Sequence, residues 1–144
     1  MQQKPLHKAI WLLISMVVMG GLLLAWLSIN QGTVIRVSAQ LSEQHQPFSK
    51  DWPVYIYAAV PGTKLPLSSY KTTVSQLPLS VDLTEEMYLL PTHTMAEQER
   101  LIVVIKLSSS GDPHQPGPED LQIKSRVLDL SQRRQHRVEL VLGN

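Results

Sequence analysis

The 144 residues contain no cysteine. This excludes disulfides, thiolate catalysis, Cys-ligated zinc and haem attachment through C-x-x-C-H within the chain. An excess of one charge is missing too: 13 basic and 12 acidic residues leave a net charge of +1. No strong field is therefore directed at nucleic acid or acidic lipid. No sequence repeat of roughly 20–50 residues is present, so solenoids and helical arrays drop out. A Gly-rich phosphate loop and a G-x-S-x-G elbow are also absent. Aromatic residues are few, and Trp52, Tyr55, Tyr57, Tyr70 and Tyr88 provide most of the rings beyond the N-terminal segment.

What the chain does have is one long apolar run. Residues 9–29 read AIWLLISMVVMGGLLLAWLSI without a charge. A helix rising about 1.5 Å per residue would cross about 30 Å of hydrocarbon over this length. Trp11 and Trp26 stand near its two ends, where amphipathic rings favour the interface. Lys4 and Lys8 precede the run and the next charge is Arg36, which orients the N-terminus to the cytoplasm. The competing reading is a cleaved signal peptide, whose apolar core of about 7–15 residues ends at a small-x-small site. This run is longer and lacks an A-x-A close. The expected organisation is a cytoplasmic N-terminus 1–8, a transmembrane anchor 9–29, a linker 30–32 and an extracytoplasmic domain 33–144.

Beyond Gly32 the apolar period changes to two. Ile35, Val37, Ala39 and Leu41 alternate with polar positions over Thr33–Leu41, the pattern of a half-buried strand. Pro53 opens VYIYAAV, rich in β-branched and aromatic residues, and Pro61-Gly62 turns the chain. Leu67–Val74 is more polar and suits an edge, and Leu79–Leu83 alternates again. Leu101–Leu107 (LIVVIKL) is nearly continuous apolar sequence, as for a central strand buried on both faces. Leu121–Leu130 and Val138–Leu142 complete the set. About seven short strands with Pro/Gly turns predict an all-β, immunoglobulin-like sandwich, with a barrel as the alternative. One helical turn is expected at Thr94–Glu97, where the spacing is that of a capping box.

Two long connections remain, Thr84–Arg100 and Ser108–Asp120. The second holds Pro113, Pro116 and Pro118 with Gly111 and Gly117, so it cannot join a ladder; it is either functional or mobile. Ser110, Asp112 and His114 superficially offer catalytic residue types. A triad, however, assembles from separate rigid elements, and the run reads as turn chemistry. His45, His93, His114 and His136 lack the spacing of metal ligands. No enzyme, metal or cofactor is therefore expected. With Val54, Ile56 and Ala58 facing a core, Tyr55 and Tyr57 share the opposite face. They form either a peptide-binding platform or a cover for the flank of the sandwich. The candidate contact residues are Tyr55, Tyr57, Ser110, Gly111, Asp112, His114 and Asp120.

The order VYIYA (54–58), Pro66-Leu67, Leu77-Pro78-Leu79, Leu83 with Met87 and Pro91, V-V-I (103–105), Ser108–Gly111 and Pro-Gly…Asp-Leu (116–121) resembles the C-terminal Ig-like domain of the CcmI (CycH) family of c-type cytochrome biogenesis proteins. The resemblance covers about 33–130 and implies an assembly factor of the bacterial cytoplasmic membrane, its domain in the periplasm. It also implies partners among the haem-lyase and cytochrome c maturation membrane proteins, with apocytochrome c as a further candidate. Full-length family members have two membrane helices, a cytoplasmic loop and tetratricopeptide repeats that grip the apocytochrome; these 144 residues show one apolar run and no repeats. The family's tight Gly-Asp is here Gly117-Pro118-Glu119-Asp120. The alternative function is a membrane-tethered adaptor of another envelope complex.

Overall fold

The computed structural model describes residues 14–21, 32–42 and 48–143, in two compact units, Met1–Gln31 and Gly32–Asn144. In the first, residues 14–21 are helical with exposed side chains. Among the described residues no helix is long and apolar enough to cross a membrane. The remainder of the expected span 9–29, with Trp11, Trp26, Lys4 and Lys8, lies outside the described residues, as do Asn30, Gln31 and His45.

The second unit is mostly β. Its strands are β1 (Val34–Leu41), β2 (Pro53–Ala59), β3 (Pro66–Thr73), β4 (Leu79–Thr84), β5 (Arg100–Leu107), β6 (Leu121–Lys124), β7 (Leu128–Asp129) and β8 (Gln135–Leu142). One sheet has the order β4-β1-β8; the other runs β3-β2-β5-β6, with β7 also on β5. Alternation puts Ile35, Val37 and Ala39 of β1 and Val138, Leu140 and Leu142 of β8 in the core, opposite Val54, Ile56 and Ala58 of β2. β5 lies inside the larger sheet, and Leu101–Ile105 are buried on both of its faces. β3 is an edge, as its polar sequence predicts.

Three differences from the sequence reading appear, the first two with local causes. Leu121–Leu130 is two strands, not one, because Ser125 leaves the ladder and holds Val103 twice. The Val103 amide donates to Ser125 Oγ at 2.9 Å, and the Ser125 amide donates to the Val103 carbonyl at 2.8 Å. The turn at Met95–Glu97 forms as a 3₁₀ turn, but the Thr94 side chain makes no capping bond; buried Met95 anchors it instead. Val74–Gln76 and Glu85–Met87 form two further 3₁₀ turns.

The pairings also fix which loops share an end. Val34 of β1 lies opposite Thr84 of β4 and Gln135 of β8, and Ala59 of β2 lies opposite Pro66 and Ile102. Gly32, the β2–β3 turn, the 85–99 connection and the β7–β8 turn therefore sit at one end. Leu107 pairs with Val54 and Leu121, so the 108–120 loop sits at the other. Eight residues of β5 separate the two ends, about 25 Å at the usual strand rise.

Candidate functional site

At the end remote from Gly32, the 108–120 loop folds against the outer face of the larger sheet. Tyr55 and Tyr57 both point to that face, half-buried, while Val54, Ile56 and Ala58 are fully buried on the other. Register places Tyr57 beside Val104 and Ser69, and Tyr55 beside Lys106 and Lys71. Val104 is only 2% exposed although its side chain points outward, so this face is itself covered. The Lys71 ammonium stands 5.5 Å from the centre of the Tyr55 ring, within range of cation–π attraction. The Tyr55 hydroxyl reaches the Gly111 carbonyl at 3.5 Å, a long contact that brings the ring to the loop. Tyr57 lies one inter-residue pair further along, away from the loop. Its partial burial raises the phenol pKa.

The loop is closed by its own polar groups. Asp120 Oδ1 accepts from the Ser109 amide at 2.7 Å and the Ser109 hydroxyl at 3.0 Å, and Ser109 Oγ in turn accepts from the Glu119 amide at 3.2 Å. The Ser110 hydroxyl donates to the Gln115 carbonyl at 2.7 Å, and the His114 amide donates to Asp112 Oδ1 at 2.8 Å. Ser108 is fully buried; its amide donates to the Pro53 carbonyl at 3.0 Å and its hydroxyl to the Asp112 carbonyl at 3.0 Å. Two glycines are required. Gly111 has φ +83°, where L side chains are strained. A Cβ on Gly117 would collide with Ser109 Oγ and lie 2.9 Å from the Ser110 amide nitrogen.

Lys106 is the residue that sequence reasoning missed. It is the one charge inside the apolar run Leu101–Leu107, and its ammonium donates to the Pro113 carbonyl at 2.6 Å and stands 3.9 Å from Asp120 Oδ2. That oxygen is buried and, among the described residues, has no hydrogen-bond partner. Partial burial of Asp120 opposes its ionisation. The Ser109 and Gly117 amides, the Ser109 hydroxyl and the Lys106 charge outweigh that and hold the carboxyl below its ordinary range. Asp120 is thus turned inward as the loop's internal tie.

The structure brings Tyr55, Ser110, Gly111 and Asp112 together, with Asp120 behind them and Tyr57 along the same face. His114 is exposed, and among the described residues its ring makes no hydrogen bond, so Ser110, Asp112 and His114 form no nucleophile–base relay. Among the described residues no group of three His, Cys, Asp or Glu is placed to hold a metal. What the arrangement offers is a surface whose shape is set before any partner arrives. Residues 32–142 match the cytochrome c-type biogenesis protein H Ig-like domain. No curated protein and no solved structure matches the chain.

Proposed function

The chain belongs to the cytochrome c-type biogenesis protein H Ig-like domain family, and from that premise we propose that it is a membrane-anchored assembly factor of c-type cytochrome biogenesis. Residues 9–29 anchor it in the bacterial cytoplasmic membrane with the sandwich in the periplasm; the uncharged run and the preceding Lys4 and Lys8 support this orientation. Tyr55 and the 108–120 loop contact components of the haem-ligation machinery, and apocytochrome c is the further candidate partner. The observation that carries the contact assignment is the internal closure of the loop through Asp120, Lys106 and Ser109. A loop already ordered loses little conformational freedom on binding, so more of its contact energy appears as affinity.

Deleting the gene is expected to lower covalent haem in c-type cytochromes and leave b-type haem proteins intact. Shortening 111–118 is expected to weaken co-purification with haem-ligation components while the domain stays folded. Normal c-type cytochrome levels in a deletion strain that has no second copy of the gene would leave the adaptor of another envelope complex as the reading.

A further inference from the structure

The end of the sandwich at which β1 begins carries an apolar surface that neither the core nor the 108–120 loop uses. Six large apolar or aromatic side chains are exposed on the described sandwich: Leu65, Tyr70, Tyr88, Leu89, Leu90 and Val127. Four of them, Leu65 and Tyr88–Leu90, are at this end, and Leu89 is 56% exposed. They are held out, not left loose. Upstream of the triplet, Glu85 Oε1 accepts from the Thr33 amide at 2.9 Å, and Ser68 Oγ donates to the Thr84 carbonyl at 2.9 Å. Downstream, Met95 is 1% exposed and Arg134 Nη1 donates to the Ala96 carbonyl at 2.7 Å. Between these anchors the His93 amide donates to the Leu90 carbonyl at 3.1 Å and closes a turn over Pro91-Thr92. Between these two fastenings Leu89 and Leu90 stand exposed. Three consecutive exposed apolar side chains, Tyr88, Leu89 and Leu90, are grouped where scattered ones would need no explanation, and a group of this kind calls for a contact.

The covalent chain identifies what it contacts. Gly32 lies at this same end, and only Asn30, Gln31 and Gly32 stand between the apolar run 9–29 and Thr33. Three extended residues reach about 10 Å. Wherever the run ends in a bilayer, this end of the sandwich is therefore held within about that distance of its surface. Four partly exposed side chains bind lipid weakly when free, but a tether this short makes the encounter intramolecular. The charges around them are of both signs, Lys64, Arg133 and Arg134 against Glu86, Glu97 and Glu99, so nothing selects anionic headgroups. Tyr88 beside two leucines suits the headgroup–acyl boundary, where a ring with a polar tip and aliphatic side chains partition together.

We propose that Leu65, Tyr88, Leu89 and Leu90 form an interfacial foot that enters the boundary region of the bilayer and seats the sandwich on the membrane. The proposal rests on the anchored reading of residues 9–29. Its consequence is that the 108–120 loop faces away from the bilayer, at the height of a strand's length above it. Partners reached by that loop then have a domain standing clear of the membrane.

The absence of cysteine makes the test direct. The full chain is reconstituted into zwitterionic phosphatidylcholine vesicles as three variants, Leu89→Cys, Gln115→Cys and Met16→Cys, each labelled with the same environment-sensitive fluorophore. At Leu89 the label should be quenched by doxyl groups carried on the lipid and be severalfold less accessible to aqueous iodide than at Gln115. If the Met16 label is immersed while the Leu89 label is as wet as that at Gln115, the foot is overturned and the anchor stands. A wet Met16 label overturns the anchor and the foot together. A Leu89 label shielded from iodide but not quenched from the lipid means that a second copy or the chain's own N-terminal segment covers the patch. That result also overturns the proposal.

Discussion

Asp120 shows how one residue can hold a loop without touching a partner. Its carboxylate takes two hydrogen bonds from Ser109 and lies near Lys106, and these outweigh the cost of its partial burial. Because the folded pKa is depressed, the stabilisation is present above the ordinary carboxylate range and fades as pH falls through the folded value. Asp120→Asn keeps one acceptor and loses the charge, so at neutral pH it should cost about 1–2 kcal/mol. The difference between the variant and the wild type should shrink as pH falls below the ordinary carboxylate range, where the unfolded chain takes up its proton before the folded one does. Urea denaturation of both proteins at several pH values checks this, and a difference independent of pH would assign the loss to packing. Gly117 acts by what it lacks. The contact a Cβ would make with the Ser110 amide nitrogen, at 2.9 Å, is with backbone, which cannot swing aside. Gly117→Ala should therefore destabilise by about 1–3 kcal/mol, read as a lower urea midpoint with an unchanged m-value.

Among the elements, β5 is held by an unusual neighbour. Where β6 ends, the Ser125 hydroxyl accepts from the Val103 amide and itself donates to the Arg126 carbonyl at 2.7 Å. One side chain thus replaces a rung of the ladder against a strand buried on both faces. Ser125→Ala leaves the Val103 amide without its acceptor, at an expected cost of about 1–3 kcal/mol. Native-state hydrogen exchange should show Val103 accelerated more than Ile105, which keeps its partner strand. Equal acceleration at both would mean general loosening. This element also shows where sequence reading stops. Period-two alternation and the run Leu101–Leu107 were legible because each strand's burial is written in its own side chains. The break at Ser125 was not, since a serine in a strand-like run carries no mark of whether its hydroxyl joins the ladder. Alternation likewise does not say which strands adjoin, so the parallel β1–β8 pairing was invisible. In the loop, prolines and glycines announced an irregular connection and Tyr55 announced an outward face. Lys106 gave no signal, because its role depends on register with residues of other elements.

At the scale of the molecule, two sheets share one core, and the first and last strands close it. β8 pairs in parallel with β1 over Gln135–Leu142 and puts Val138, Leu140 and Leu142 among the buried side chains. Neither sheet is self-sufficient, because the three-stranded one covers the inner face of the five-stranded one. Residues 32–144 expressed alone should fold to a β-rich domain and unfold in one cooperative transition. Removing 135–144 takes three core side chains, at about 1.5–3 kcal/mol each or about 5–9 kcal/mol in total. It also bares the backbone edge of β1. Since a small domain has only about 5–15 kcal/mol in hand, the truncated fragment should be unfolded, with a disordered circular-dichroism spectrum and rapid proteolysis throughout. A truncated fragment that keeps a cooperative melt would show that β2, β3 and β5 hold the core without their cover. In that case the chain would consist of a stable sheet with a detachable one, and the end of the sandwich nearest Gly32, formed by both, would no longer be a fixed surface.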